Sequence, residues 1–392
     1  MTRINLHNIV VYYPNIIGSS CVKSDASVFG DVCIRATPMN TQAHPPAHQR
    51  VRFGTGLRHE VGAEMDLLGC ARAIVLSTPQ QSDMALDVAA TLGDRASGVF
   101  SGATMHTPID VTENALQHAV TVKADCIVAI GGGSTTGLGK ALSFRMNIPH
   151  ICVPTTYAGS EATPILGQTE NGIKTTFSDP GILPSVVLYD PQLVTSLPAD
   201  LTVTSALNAM AHAVEGLYAK DRNDETTRLA IQGLEDFNGS LTRVLEDPGS
   251  LAAREATLRG AWACGTVLGR VGMALHHKLC HTIGGSFDLP HAQTHAILLP
   301  HATAFNEAAV PDLLAPVAKI FGGDQSGMAL WSFARDVGAP LALKEIGLEE
   351  SDLDRAAEIA TRNPYWNPRE IDRAGIRALL QNAWSGDAPG TC

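Results

Sequence analysis

Asp125-Cys126-Ile127-Val128-Ala129-Ile130 runs directly into Gly131-Gly132-Gly133-Ser134-Thr135-Thr136-Gly137-Leu138-Gly139-Lys140, and this junction decides the fold. The first stretch is an almost continuous apolar run, the pattern of a parallel strand covered on both faces. The second opens a helix toward Ala141-Leu142-Ser143. Its glycines let the backbone approach a phosphate, and the first amides of a helix favour negative charge. The segment therefore predicts that Gly131, Gly132, Gly133 and Ser134 cradle a pyrophosphate. It is not the G-x-G-x-x-G fingerprint, so a tight strand-to-helix turn without a ligand is the competing reading.

Working outward, the chain alternates helix and strand on both sides of that junction. An amphipathic stretch over 56–68 precedes the β-branched run Arg72-Ala73-Ile74-Val75-Leu76-Ser77. Helical periods over 82–92 and 111–122 flank a short run at Gly98-Val99-Phe100. Further strands are expected at Pro149-His150-Ile151-Cys152-Val153 and Val186-Val187-Leu188-Tyr189, giving a doubly wound sheet. The loop Pro154-Thr155-Thr156-Tyr157-Ala158-Gly159-Ser160-Glu161 follows one of these strands. Open parallel sheets bind ligands at the carboxyl ends of their strands, so Thr155 and Thr156 become candidates for ribose or adenine contacts. Hydroxyl clusters also serve as plain turn chemistry.

Beyond Leu197-Pro198-Ala199-Asp200 the pattern changes. Segments 204–218, 226–241, 251–268, 314–321 and 328–337 all carry helical period, and none reads as a strand. The expected architecture is an α/β, Rossmann-like dinucleotide-binding domain over 47–197 and an all-helical catalytic domain over 198–392. Residues 1–46 are Ser- and Pro-rich without periodicity and read as an unordered extension, with Met39 a suitable true start.

At 392 residues, two domains of ordinary size are expected. Hydrophobic residues make up 45% and charged residues 17%, the balance of a compact enzyme and not of a disordered chain. A net charge of −11 argues against a nucleic-acid partner, whose phosphates demand Lys and Arg. No apolar run is long enough to span a bilayer, and the N-terminus lacks the signature of a signal peptide, so a cytoplasmic protein is expected. The 8 cysteines are scattered without metal spacing, which reads as buried free thiols. Cys280, between His277 and His281, is the one to watch.

Three segments carry the chemistry. Asn208 and His212 are four residues apart on one helix face, as are His277 and His281, and His291 follows Leu289-Pro290 at a loop-to-helix junction. Imidazoles in this pattern can bind a metal, move protons or hold anionic oxygens, and the residues alone leave the three roles open.

Taken together, Gly131-Gly132-Gly133-Ser134, the loop from Thr155 to Glu161, Asp190-Pro191, His212, His277, His281 and Leu289-Pro290-His291 resemble the iron-containing (group III) alcohol dehydrogenase family, from about Val51 onward. The stretches around Asn208 to Tyr218 and Gly272 to His281 resemble the maleylacetate reductases within it. The resemblance implies a dehydroquinate synthase-like fold, a cytoplasmic homodimer, and NADH or NADPH as the cofactor. It also implies a small dicarboxylate substrate, maleylacetate or a substituted maleylacetate, reduced at its conjugated double bond.

The family's metal ligands, one Asp and three His, fall on Asn208, His212, His277 and His291. An amide is a much weaker ligand than a carboxylate, so no metal is expected, and the metal-dependent alcohol dehydrogenase is the alternative. A nucleotide-binding sensor without catalysis is a third reading. Without a metal, protonated His277 and His291, with His212 nearby and Asn208 as an amide donor, are expected to meet the developing enolate, and His281 to donate the proton. Thr78 stands where NAD-preferring members carry Asp, which implies use of both cofactors, and Lys174 matches a lysine that approaches the cofactor. Lys278 is expected to point about 100° from His277. The segment Tyr365 to Arg369 is expected to be structural, with Arg369 in reach of an anion.

Overall fold

The computed structural model describes residues 49–170, 173–362 and 364–390, without the side chains of 173 and 174. The expected extension over 1–46, the start at Met39, and Cys21, Cys33 and Cys392 lie outside these residues.

Six strands form one parallel sheet in the order β1-β8-β5-β4-β2-β3. They are β1 (Arg50–Phe53), β2 (Ala73–Leu76), β3 (Ala96–Phe100), β4 (Cys126–Gly131), β5 (His150–Pro154) and β8 (Val186–Tyr189). Strands β2, β4, β5 and β8 are buried along their whole length, which is why they read as continuous apolar runs and not as alternation. Helices α1 (Val61–Leu68), α2 (Ser82–Leu92), α3 (Ile109–Thr121) and α4 (Gly133–Met146) make the connections. Because β3 lies beyond β2 and β4 returns to its other side, the order reverses between β2 and β4. That reversal opens a crevice at the carboxyl ends of β2 and β4, where such sheets bind ligands.

Two elements escaped the sequence reading. β1 is four residues at the edge of an aperiodic region, too short to show a pattern. An antiparallel hairpin of β6 (Ile165–Glu170) and β7 (Ile173–Ser178) stands apart from the main sheet. β6 alternates half-exposed residues with buried Leu166 and Gln168, and the described side chains of β7 are exposed, so the pair carries few of the apolar residues that mark a strand.

From Ala199 onward the described residues hold helices and short 3-10 turns and no strand. They are α5 (Ala199–Tyr218), α6 (Asp224–Glu246), α7 (Leu251–Leu268), α8 (Leu275–Phe287), α9 (His291–Glu307), α10 (Pro311–Phe321), α11 (Ser326–Asp336), α12 (Leu353–Thr361) and α13 (Arg373–Ser385). Every residue of α5 from Thr202 to Tyr218 is buried, so it is the central helix, packed against α6, α7 and α9. Helix α7 braces the sheet: Phe53 of β1 stacks on Tyr189 at 4.8 Å, meets Trp262 edge-on and lies under the Arg259 guanidinium. The five cysteines described are free and buried. No described helix is long and apolar enough to cross a membrane.

His150 on β5 is buried with both ring nitrogens unpartnered, under Gly139, where a Cβ would lie 2.5 Å from its Nε2. Burial, then the charge of Lys140, pushes its pKa down to about 3. The unfolded chain takes up this proton near pH 6.5 while the folded chain resists it, so stability present above that pH drains as pH falls toward 3. His150→Leu is expected to flatten the fall in thermal midpoint between pH 7 and pH 5, and an unchanged slope would contradict this origin.

Candidate active site

The rim that the sequence nominates for a nucleotide is built from the ends of β2, β4 and β5. Helix α4 begins directly after β4 with Gly132 at its N-cap, and no side chain caps it, so its first amides have no side-chain acceptor. A Cβ at Gly132 would lie 2.9 Å from Thr156, and Thr135 Oγ1 is buried without a partner. An uncapped helix start over glycine, with an orphaned hydroxyl beneath it, fits an anionic pyrophosphate. Gln81, missed in the sequence, ties this rim together: Thr78 Oγ1 bonds its side chain at 3.3 Å, and its Nε2 donates to Thr155 Oγ1 at 2.6 Å. Thr78 and Thr155 are thereby brought beside Gly131 to Ser134, and Thr155 N donates to the Gly131 carbonyl. The side chain of Lys174 lies outside the described residues.

The loop over 155–161 is fixed from both sides. Lys140, buried in α4, donates to Thr163 Oγ1 and the Ile165 carbonyl at 2.9 Å each and to the Ser160 carbonyl. Arg254 of α7, buried without a carboxylate partner, donates to Tyr157 Oη at 3.0 Å and Thr202 Oγ1 at 3.2 Å, and also to the carbonyls of Thr195 and Pro248. Gly159, at φ 75°, touches Gly265 of α7 so closely that a Cβ would meet its Cα at 2.9 Å.

In the helical half, α5, α8 and α9 bring the histidines together. The rings of His212 and His277 lie 5.2 Å apart, and His277 and His281 lie 6.2 Å apart. His291 joins the cluster through His295, a residue the sequence reading did not single out, at 4.3 Å. Asn208 Oδ1, His212 Nδ1 and His277 Nε2 are all buried without partners, more orphaned polar atoms than a closed core tolerates, so this is where a ligand would satisfy them. Burial first, then the neighbouring His277, His276 and His291, push the His212 pKa well below its ordinary value, so it enters as a neutral ring. His281 is exposed, and its Nδ1 shares a hydrogen bond with Tyr365 Oη at 3.1 Å.

Glu215, one turn beyond His212, organises the cluster. Its Oε2 accepts from His277 Nδ1 at 2.7 Å and from Ala274 N at 2.9 Å, and its Oε1 accepts from His276 N at 2.7 Å. Ala274 gives α8 no side-chain cap, so the carboxylate supplies one from α5. Burial pushes its pKa up, but the His277 hydrogen bond and the imidazoles outweigh this and hold it below the usual carboxylate value. The network continues through Tyr218 to Asn306 and on to Asn367, two residues from Tyr365. The segment expected to be structural thus delivers Tyr365 to His281, with Lys278 Nζ 5.6 Å from its ring centre. Arg369, expected to reach an anion, instead donates to the Phe305 carbonyl and lies over that ring. The spacing 208, 212, 215 along one helix face was the signal for Glu215; nothing in the sequence announced Tyr218 or Asn306.

A metal at Asn208, His212, His277 and His291 meets a poor donor set. Asn208 brings no charge, Glu215 is engaged behind His277, and the three imidazoles are not among the described groups whose donor atoms all lie within 4.8 Å of one another.

The comparisons with known proteins agree with this architecture. Residues 48–191 match the family model for iron-containing alcohol dehydrogenases, and residues 202–384 match the C-terminal model of the same family. The chain is 54% identical to a maleylacetate reductase of Rhizobium sp. (strain MTP-10005), over 90% of this chain and 100% of the relative. It is 48% identical to one from Burkholderia cepacia, over 87% and 97%. The crystal structure of maleylacetate reductase from Agrobacterium tumefaciens superposes with a TM-score of 0.85 at 54% identity, over 87% of this chain and 97% of that one.

Replacing Glu215 by Ala would remove the acceptor of four buried donors, one of them on His277, so a loss of about 3–5 kcal/mol is expected in denaturant unfolding. Glu215→Gln should recover part of it; a fully stable Glu215→Ala chain would mean that the carboxylate does not organise the site.

Proposed function

The chain belongs to the iron-containing alcohol dehydrogenase family, an oxidoreductase family, and on that premise we propose that it uses NADH or NADPH to reduce the conjugated carbon–carbon double bond of maleylacetate, or a substituted maleylacetate, to 3-oxoadipate. The single observation that carries this reading is the pairing of two unlike histidines: buried His277 backed by Glu215, and exposed His281 backed by Tyr365. Reduction of an enone needs two such groups, a fixed donor for the ketone oxygen and a proton source for the carbon beside it. Relatives about half identical over nearly the whole chain bear the name of that activity.

Nicotinamide, when bound, supplies the hydride to the carbon β to the ketone. The amides opening α4 at Gly132, Gly133 and Ser134 receive the pyrophosphate, with Gly131 giving it room. Thr155 and Thr156 border the ribose. Thr78, a neutral hydroxyl, accepts the adenine ribose with or without its 2′-phosphate. As charge builds on the ketone oxygen, His277 meets it as an imidazolium balanced by Glu215, and Asn208 offers its amide. His212, uncharged, shapes the pocket between them. His291 at the start of α9 and Lys278 above Tyr365 attract the substrate carboxylates. His281 then passes a proton to the α-carbon and regains it through Tyr365 and solvent, so that a hydride and a proton saturate the double bond. No step requires a metal. In this reading the nucleotide sits on residues 47–197 and the chemistry on 198–392 of a cytoplasmic homodimer.

The test is oxidation of NADH and NADPH with maleylacetate against a panel of alcohols and aldehydes, with and without chelator. Turnover of maleylacetate that survives chelation is expected with both cofactors, within about a hundredfold of each other. Preference for alcohols, lost on chelation and rescued by metal, would identify a metal-dependent alcohol dehydrogenase instead; no turnover would point to a nucleotide sensor. His281→Ala and Tyr365→Phe should lower kcat far more than they raise KM, by about 10²–10⁴ for the histidine. An unchanged kcat in His281→Ala would remove His281 as proton donor.

A further inference from the structure

Three donor atoms meet at a place the proposed reaction does not use. His276 and Cys280 lie four residues apart on one face of α8, and His295 of α9 faces them; all three are buried. His276 Nε2 lies 3.1 Å from His295 Nδ1 and 3.5 Å from Cys280 Sγ. Among the described residues this is the group of His, Cys, Asp or Glu side chains whose donor atoms all fall within 4.8 Å of one another. A tetrahedral zinc ion, bound at about 2.0–2.1 Å to nitrogen and about 2.3 Å to sulfur, holds its donors about 3.3 Å apart between nitrogens and about 3.5 Å apart from nitrogen to sulfur. The spacings found are close to these.

We propose that His276, Cys280 and His295 form a binding site for a soft divalent ion of the zinc class, separate from the position at which family members hold theirs. It goes beyond the reductase reading and does not depend on it. His276 and His295 are buried, and a neutral imidazole is the form that ligates. His295 Nε2 is buried without a partner, so that ring can carry its proton there and turn the Nδ1 lone pair inward. Binding releases one proton: the metal–sulfur bond forms as the Cys280 thiol gives its proton to solvent, while an imidazole proton on the shared edge moves to its ring's other nitrogen. No electrons are transferred. The ion and one thiolate leave a net charge of one, and Glu215, which accepts the His276 amide, stands beside the site as its counter-charge. Exposed His291, 4.3 Å from the His295 ring, marks the side from which an ion arrives. The thiolate and two imidazoles select a soft ion over magnesium or calcium.

The experiment titrates the metal-free full-length chain with Co²⁺, followed by absorbance, and with Zn²⁺, followed by equilibrium dialysis. The parent, Cys280→Ser, His295→Gln and His212→Gln are compared, and far-UV circular dichroism verifies each fold. The parent should bind one ion per chain and show a thiolate-to-cobalt band in the near ultraviolet. Cys280→Ser, or Cys280→Ala if the serine form fails to fold, should abolish the band. His295→Gln should weaken binding by at least about tenfold, and His212→Gln should leave both signals intact. A parent without the band, a band that survives loss of Cys280, or binding that fails in His212→Gln but persists in Cys280→Ser would each overturn the proposal. The last outcome would place the ion at the family's position instead.

Discussion

A single buried carboxylate holds the helical half in register. Glu215 takes hydrogen bonds from the backbone of Ala274 and His276 and from the His277 ring, and so welds the last turn of α5 to the start of α8. Without it, α8 would begin on unsatisfied amides inside the protein, a cost that no residue of α8 itself can offset. Because α5 is buried on every side, the carboxylate is fixed in turn by the core, and the imidazoles inherit its rigidity. Two consequences come from one contact, a helix start and a fixed orientation for His277.

The second constraint joins the halves of the molecule. The loop carrying Thr155 and Thr156 belongs to the sheet, yet its Tyr157 and Gly159 rest on α7 through Arg254 and Gly265. A guanidinium buried without a carboxylate is expensive, and the four segments it gathers with neutral acceptors explain its retention. The loop at the sheet's rim and the helical half therefore share a common wall, α7. Hydride transfer demands such a wall, since an error of about 1 Å between donor and acceptor can cost two orders of magnitude in rate.

The cluster itself has two zones of different chemistry. Around Asn208, His212 and His277 the polar atoms lack partners, a zone prepared for a ligand that brings its own hydrogen bonds. One imidazole further in, His276 Nε2 lies within hydrogen-bond distance of His295 Nδ1 and Cys280 Sγ. Where the resemblance implies a carboxylate ligand this chain has the amide of Asn208, and the Glu215 carboxylate lies behind His277.

Much of this was written along the chain. The apolar run at 126–131 with its glycine loop, the helix at 82–92 and the helical repeats beyond Ala199 are local patterns, and local sterics and burial enforce them wherever the chain goes. The i, i+4 spacing likewise put Asn208 with His212 and His277 with His281. The sequence could not show that Glu215 reaches 62 residues ahead to His277, that Tyr365 returns to His281, or that Gln81 binds Thr155. Those contacts join residues with no shared period, and each exists because helices and strands pack at angles set by the whole core. Periodicity determines which face a side chain occupies; only tertiary packing determines what that face meets.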